Sequence, residues 1–344
     1  MSGLSFLPRE GRQGRAFAAS ADGRVIVGTV VQGVAIGVRW VDGAVEPLGD
    51  PEGPGPFPQP RAVSADGEVV VGSAFSSDGI QAFRWTSASG IVGLGDLLGR
   101  QFRSAALSVS ADGAVLVGTS QSDRSKSGYP EAMHWTEPDG MTPLGDLLGG
   151  VFGSVATAIS GDGRMIVGSG RGAFDGVAAA YWYNGGSAQM IPAAPPFILT
   201  SASALGVSHD GSIIVGYASY PNDSRGAFIW SPYMERMREL RSVLIDDYAL
   251  NLDGWTLTEA VGVSADGTVI VGNGVDPAGT RQGWVAHLPP VCRADVNRDG
   301  RVDALDILAF HRALQSSTAT DFNADGTLNS QDFFDFLTVF FGGC

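Results

Sequence analysis

The sequence predicts an all-β six-bladed propeller over residues 1–290, followed by a small all-α domain over residues 291–344. Three observations predict it. Ser-x-Asp-Gly recurs six times, beginning at Ser20, Ser64, Ser110, Ser160, Ser208 and Ser264. The aspartates of successive copies lie 44, 46, 50, 48 and 56 residues apart, room for the four short strands of a propeller blade. The pattern then gives way to two twelve-residue acidic loops, offset by 26 residues, each leading into an apolar run of helical character.

Within a repeat, an Ala/Val/Leu-containing strand leads into Ser-x-Asp-Gly. Asp-Gly is a turn signal, because Gly tolerates positive φ and Asp bonds its own backbone. A Val/Ile strand such as Arg24-Val-Ile-Val-Gly28 follows, with Val-Gly at Val27, Val71, Val117, Val167, Val215 and Val271. Near-continuous apolar runs suit strands covered on both faces. The third strand ends in Trp (Trp40, Trp85, Trp135, Trp182, Trp230, Trp284), and the fourth carries Leu-Gly-Asp at Leu48, Leu94 and Leu144.

Those leucines each precede the next turn aspartate by 18 residues, and so does Leu4 of Leu4-Ser-Phe-Leu7. The chain is therefore expected to begin with a fourth strand that completes the sixth blade, which stops soon after Trp284. The rival architecture is an open β-solenoid, which needs no such exchange. The repeats resemble the HAF family of extracellular repeats through S-A-D-G-x-V-x-V-G, A-F-R-W and L-G-D-L, a likeness that implies no activity. Blades 4 to 6 depart from it: they lack Leu-Gly-Asp, and an insertion at 236–255 is expected to hold a short helix over Tyr233–Leu244.

The two acidic loops run Asp295–Asp306 and Asp321–Asp332. Oxygen side chains stand at loop positions 1, 3, 5, 9 and 12: Asp295, Asn297, Asp299, Asp303 and Asp306, then Asp321, Asn323, Asp325, Asn329 and Asp332. Gly300 and Gly326 at position 6 allow the sharp turn, and Arg301 and Thr327 at position 7 offer carbonyls. This is the ligand spacing of an EF-hand Ca²⁺ site, so two calcium ions are expected. Two acidic surface turns are the alternative. Position 12 is Asp, one methylene shorter than the usual Glu. Loop 1 carries four carboxylates and loop 2 three, so loop 1 is expected to bind more tightly.

Ile307, Leu308, Phe310 and Leu314 map at an offset of 26 onto Phe333, Phe334, Phe336 and Phe340, an internal duplication expected to pack its apolar faces together. So small a core is marginal without staples. Besides the metals, Cys292 and Cys344 bracket the domain. A bridge between them would contribute roughly 2–4 kcal/mol; two free thiols are the alternative. The duplicated D-x-N-x-D-G loops with Asp at position 12 resemble a dockerin domain, and the flanking Cys with terminal Gly-Gly-Cys resembles the variant that ends planctomycete secreted proteins. That resemblance implies a cohesin-type partner and an extracellular, often polysaccharide-degrading, assembly. Positions 10 and 11, which help choose the partner in dockerins, are Ala304-Leu305 and Ser330-Gln331, not the usual Ser/Thr pair.

Catalysis usually needs a group that breaks the repeat. Ser-x-Asp-Gly is similar to the Asp-box of sialidases, but with different spacing, and turn chemistry is expected for these aspartates. Asp50, Asp96 and Asp146 recur as well and are expected to cap turns, and the Trp series to pack between blades. His134, His209, His287 and His311 form no metal-type cluster. Asp246, Asp247 and Asp253 in the insertion are the best non-repeated carboxylates for a glycoside-active pair.

The formal charge of −14, with 22 Lys+Arg, argues against nucleic-acid binding. The chain has no run of 18 apolar residues, so no transmembrane helix is expected. Calcium sites and a disulfide point to an extracellular or cell-surface location, although residues 1–10 show no signal-peptide pattern. Two function classes result. One is a non-catalytic propeller that presents loops to a glycan or protein and is fastened by a calcium-folded module. The other is a polysaccharide-active enzyme with the propeller as its catalytic domain.

Overall fold

The computed structural model describes residues 13–32, 34–49, 57–99, 102–125, 128–172, 176–193, 199–222, 224–288, 292–297, 301–315, 322, 327 and 329–342. The first sheet holds Gln13–Ala19, Val25–Gln32, Val34–Val41 and Ala44–Pro47 (β1–β4). The second holds Gln59–Val63, Val70–Phe75, Ile80–Thr86 and Gly90–Gly93 (β5–β8), and the third Ser104–Val109, Leu116–Ser120, Glu131–Thr136 and Gly140–Gly145 (β9–β12). An eight-stranded sheet joins Gly149–Ile159, Met165–Gly172, Val177–Tyr183 and Gln189–Met190 (β13–β16) to Ser201–Val207, Ile214–Ser219, Arg225–Trp230 and Arg238–Glu239 (β17–β20). A single parallel pairing, Val177 with Ser201, links its halves. The last sheet has three strands, Thr256–Val263, Val269–Val275 and Arg281–His287 (β21–β23). Successive repeats pack against each other, β2 on β5, β6 on β9, β10 on β13, β14 on β17 and β18 on β21, in a propeller-like arrangement.

Each Ser-x-Asp-Gly turn is built the same way. The serine hydroxyl donates to the aspartate, as Ser20 does to Asp22 at 2.7 Å and Ser64 to Asp66 at 2.5 Å. The same hydroxyl accepts the N–H five residues on, Val25 and Val69 here. The aspartate accepts the N–H two residues on, from Arg24 and Glu68. These bonds hold the Asp66, Asp112 and Asp266 carboxyls below their ordinary range, each serine hydroxyl being the main cause, and bring Asp266 down to about 2. The expected turn role is what the geometry gives.

The turns also stitch neighbouring sheets together. Ala21 N–H donates to the Ala65 carbonyl, Ala65 to Ala111, and Ala111 to Gly161, each at 3.0 Å. Asp162 then donates to His209 and His209 to Ala265, again at 3.0 Å. The glycine of each Val-Gly has a related cause. The first strand of every repeat bulges opposite it, as between Ala156 and Ala158. A Cβ at Gly118 would lie 2.0 Å from the Ala105 carbonyl oxygen, and one at Gly168 1.9 Å from that of Val155.

The core lies between the sheets. Val27, Val71, Val117, Val167 and Val215 are fully buried, whereas Val271 keeps 37% of its surface and its cross-strand partner Val285 59%. That face of β22 and β23 is exposed. The strand expected to complete this sheet, Leu4–Leu7, lies outside the described residues.

Two expectations are corrected here. Trp40, Trp85, Trp135, Trp182 and Trp230 pair with Ile26, Val70, Leu116, Ile166 and Ile214. In the last sheet Ala286 takes that slot opposite Ile270, and Trp284 sits two residues earlier, opposite Gly272. The absence of side chains at Gly272 and Gly274 makes room for the indole ring, which lies against both. The insertion helix is Leu240–Asp246 (α1), shorter than expected because 233–237 form turns and bends that place Met237 and Leu240 in the core.

Beyond the sheets come Ala304–Gln315 (α2) and Ser330–Gly342 (α3). Phe310 and Phe336, related by the duplication, stack at 4.6 Å, and Phe322 sits edge-on to both. Leu308 and Phe334, expected in this interface, are 51% and 59% exposed. Tyr233 packs on the same cluster, and Arg312 pairs with Glu235 at 2.7 Å.

Candidate metal centre

The position-12 carboxylates close the two loops. Asp306 and Asp332 have no exposed surface. Asp306 accepts the Asn297 N–H at 3.0 Å on one oxygen and the Asp303 N–H at 2.9 Å on the other. Asp332 accepts the Phe322 N–H at 2.7 Å and the Asn329 N–H at 2.8 Å. Each carboxylate thus ties the beginning of its loop to the beginning of its helix.

The local sequence explains the geometry. Asp303 and Asn329 precede α2 and α3, and their side chains accept the N–H two residues on, from Leu305 at 2.8 Å and Gln331 at 2.7 Å. These are N-caps, and the third helical residue reaching back to the cap N–H makes each a capping box, with Asp in place of Glu. The shorter Asp stays inside the loop rather than on the helix surface. Negative side chains in a first turn also suit the helix dipole.

Asp295 is 4% exposed, and its N–H donates to the Cys292 carbonyl at 2.9 Å. Asn297 is half-buried, whereas Arg301, Asp303, Thr327 and Asn329 are exposed. Asp299, Asp321, Asn323 and Asp325 lie outside the described residues, and so does Cys344. The described residues alone bring no three acidic, His or Cys side chains to one point. The donor set fits a hard cation: oxygen only, with buried carboxylates whose desolvation is costly unless charge is compensated. Among the described residues no cysteine is a free thiol.

Sequence reasoning missed the residues beneath the loops. Val296 and Phe322 occupy position 2 of each loop and are both buried. An apolar residue between Asp and Asn in both loops was the available signal.

The alternative catalytic carboxylates are placed differently. Asp247 accepts two bonds from Arg238, at 2.5 and 2.9 Å, which fixes it in a bidentate pair. Asp246 ends α1, and Asp253 holds a positive φ of 33° in a turn. Asp146 accepts N–H groups from Leu147, Gly153 and Arg171, so this recurring aspartate joins one sheet to the next. Asp96 does the same through Leu97 and Arg103, and burial pushes its carboxyl up. Asp50 lies outside the described residues. His134 is half-buried beside Thr142, and burial lowers its pKa.

Residues 293–334 match the dockerin type I domain model. No curated protein matches the chain. Among solved structures, a putative TolB from Agrobacterium tumefaciens is 15% identical, with 81% of this chain and 91% of that one covered and a TM-score of 0.48. TolB from Acinetobacter baumannii is 17% identical, with 64% of this chain covered and a TM-score of 0.45; the chain spans 52% of its length. An acylaminoacyl peptidase in complex with a chloromethyl ketone is 11% identical over 82% of this chain and 46% of that one, with a TM-score of 0.50. At such identities the likeness concerns the fold alone. No helix among the described residues is long and apolar enough to cross a membrane.

Proposed function

We propose that the chain is a non-catalytic, calcium-dependent docking protein. In this reading residues 291–344 take up two Ca²⁺ ions through Asp295, Asn297, Asp299, Arg301, Asp303 and Asp306, and through Asp321, Asn323, Asp325, Thr327, Asn329 and Asp332. The ions fold the module, and the module fastens a six-bladed propeller, residues 1–290, to a cohesin-type partner outside the cell. The propeller presents a glycan-binding surface to that assembly. A Cys292–Cys344 bridge clasps the ends of the module.

One observation carries this reading. Two fully buried carboxylates, Asp306 and Asp332, each accept the N–H three residues back and one N–H near the loop start, at position 3 in the first loop and position 2 in the second, inside a segment that matches the dockerin type I domain. The bidentate hold of Arg238 on Asp247 weighs against the polysaccharide-active enzyme reading.

Calorimetric titration of the full chain with Ca²⁺ tests it. Two sites per chain are expected, and Asp306→Ala and Asp332→Ala should each remove one. Absence of calcium uptake would overturn the proposal. Calcium-dependent retention by an immobilised cohesin module, reversed by EDTA, tests the partner.

A further inference from the structure

A cleft of 720 Å³ opens where β19 of the eight-stranded sheet meets the last sheet. Its size falls in the range of small-molecule sites, roughly 300–1,000 Å³. It is lined by Arg225, by the cross-strand neighbours Glu259 and Asn273, and by Thr256, Arg281 and Gln282. This polar set breaks the repeat. At the strand position of Glu259, the earlier repeats carry Arg15, Gln59, Ala105, Val155 and Ser203. Opposite, where Asn273 stands, they carry Thr29, Ser73, Thr119, Ser169 and Tyr217. Turn building accounts for the repeated aspartates, but nothing in the packing of a sheet calls for Glu259 paired with Asn273.

The charges of the cleft are unequally used. Glu259 takes Arg225 at 3.1 Å on one oxygen and the Asn273 amide at 2.8 Å on the other. Arg225 is further held over the Tyr217 ring, 3.8 Å from its centroid. Glu259 is thus neutralised and aimed. Arg281 lines the same cleft and makes no ion pair or hydrogen bond among the described residues. Among the described lining residues two arginines stand against one glutamate, and the Asp276 carboxylate at the margin is occupied by the Gln282 amide at 2.6 Å, in a chain of net charge −14. Behind its wall, the Trp284 indole lies against Gly274, and its buried N–H has no acceptor among the described residues.

We propose that this cleft binds a carboxylated oligosaccharide, a short uronate chain. Arg281 pairs with the sugar carboxylate through a charge-assisted, fork-shaped contact. Thr256, Asn273 and Gln282 supply neutral partners for ring hydroxyls. Glu259, an acceptor only and already offset by Arg225, takes a ring hydroxyl, which favours a hydroxyl-rich sugar with one carboxylate per ring over an acidic peptide or a densely sulfated chain, whose hydroxyls are few or esterified. The proposal rests on reading the propeller as the glycan-presenting part of the protein.

The test is calorimetry on the full calcium-loaded chain with a uronic-acid trisaccharide, its carboxyl-reduced neutral counterpart and a sulfated trisaccharide. The uronate should bind saturably, and the reduced and sulfated sugars at least about tenfold more weakly. Arg281→Ala should lower uronate affinity about tenfold and bring it close to that of the reduced sugar. Arg281→Lys should keep part of it, and Arg312→Ala should leave it unchanged. Thermal melting confirms that each variant is folded. Equal binding of the charged and reduced sugars, or an unchanged Arg281→Ala, overturns the assignment of the cleft while leaving glycan binding intact. If no trisaccharide binds, the glycan-presenting reading falls and takes this site with it.

Discussion

Asp306 accepts the backbone N–H of Asp303 at 2.9 Å, and twenty-six residues later Asp332 accepts that of Asn329 at 2.8 Å. The carboxylate that closes each loop also holds the cap N–H of each helix, so the proposed metal uptake and helix formation would share one group. Calcium should therefore raise the helical signal and melting temperature of the C-terminal module. At a hundredfold excess over Kd, linkage supplies about 2.7 kcal/mol. Circular dichroism with Ca²⁺ and then EDTA measures this, and identical melts would refute the coupling.

Ser64 is buried and bonds both Asp66 and the Val69 N–H. Ser64→Ala leaves that N–H without its acceptor, at a cost of about 1–3 kcal/mol. Chemical denaturation should show the midpoint fall with an unchanged slope.

Gly118→Ala would drive a Cβ to within 2.0 Å of the Ala105 carbonyl oxygen and force apart β9 and β10. A loss of about 3 kcal/mol is expected. Gly43→Ala, at a φ of 85° with open space around it, should lose only about 1 kcal/mol. Equal losses would show that the close approach is not what requires glycine in Val-Gly.

The carboxyls of Asp22, Asp66, Asp112 and Asp266 have folded-state values below their ordinary range, so they stabilise the fold above the unfolded value near pH 4. That contribution is lost as the pH falls through the folded value, about 2 for Asp266. Melting temperature should drop across this window, and Asp66→Asn with Asp112→Asn should flatten the drop. An unaltered acid limb in the double variant would count against it.

Much of this was legible in the sequence, because the turn residues act locally. Ser-x-Asp-Gly specifies its own bonds within five residues, so all six copies were readable as turns. The spacing of the acidic loops also set Asp306 and Asp332 at position 12, though their bonds to the cap N–H groups were not read from it. What escaped was non-local. The slip of Trp284 by two residues depends on empty space above Gly272 and Gly274, which belongs to another strand. Leu308 and Phe334 carry apolar side chains but point outward, since Phe310, Phe322 and Phe336 already fill the space between the helices. The Arg225–Glu259 pair joins residues 34 apart, beyond the reach of any local pattern.

Val271 and Val285 face each other across β22 and β23 on a side that solvent reaches, where the five equivalent valines are sealed. Among the described residues, the last sheet accordingly keeps a wet face. Amides of β21–β23 should exchange with deuterium sooner than those of β9–β11, and breathing of the whole body should start there. The neighbouring polar cleft lies on the least restrained margin of the sheets, so whatever settles in it would also act as a clasp.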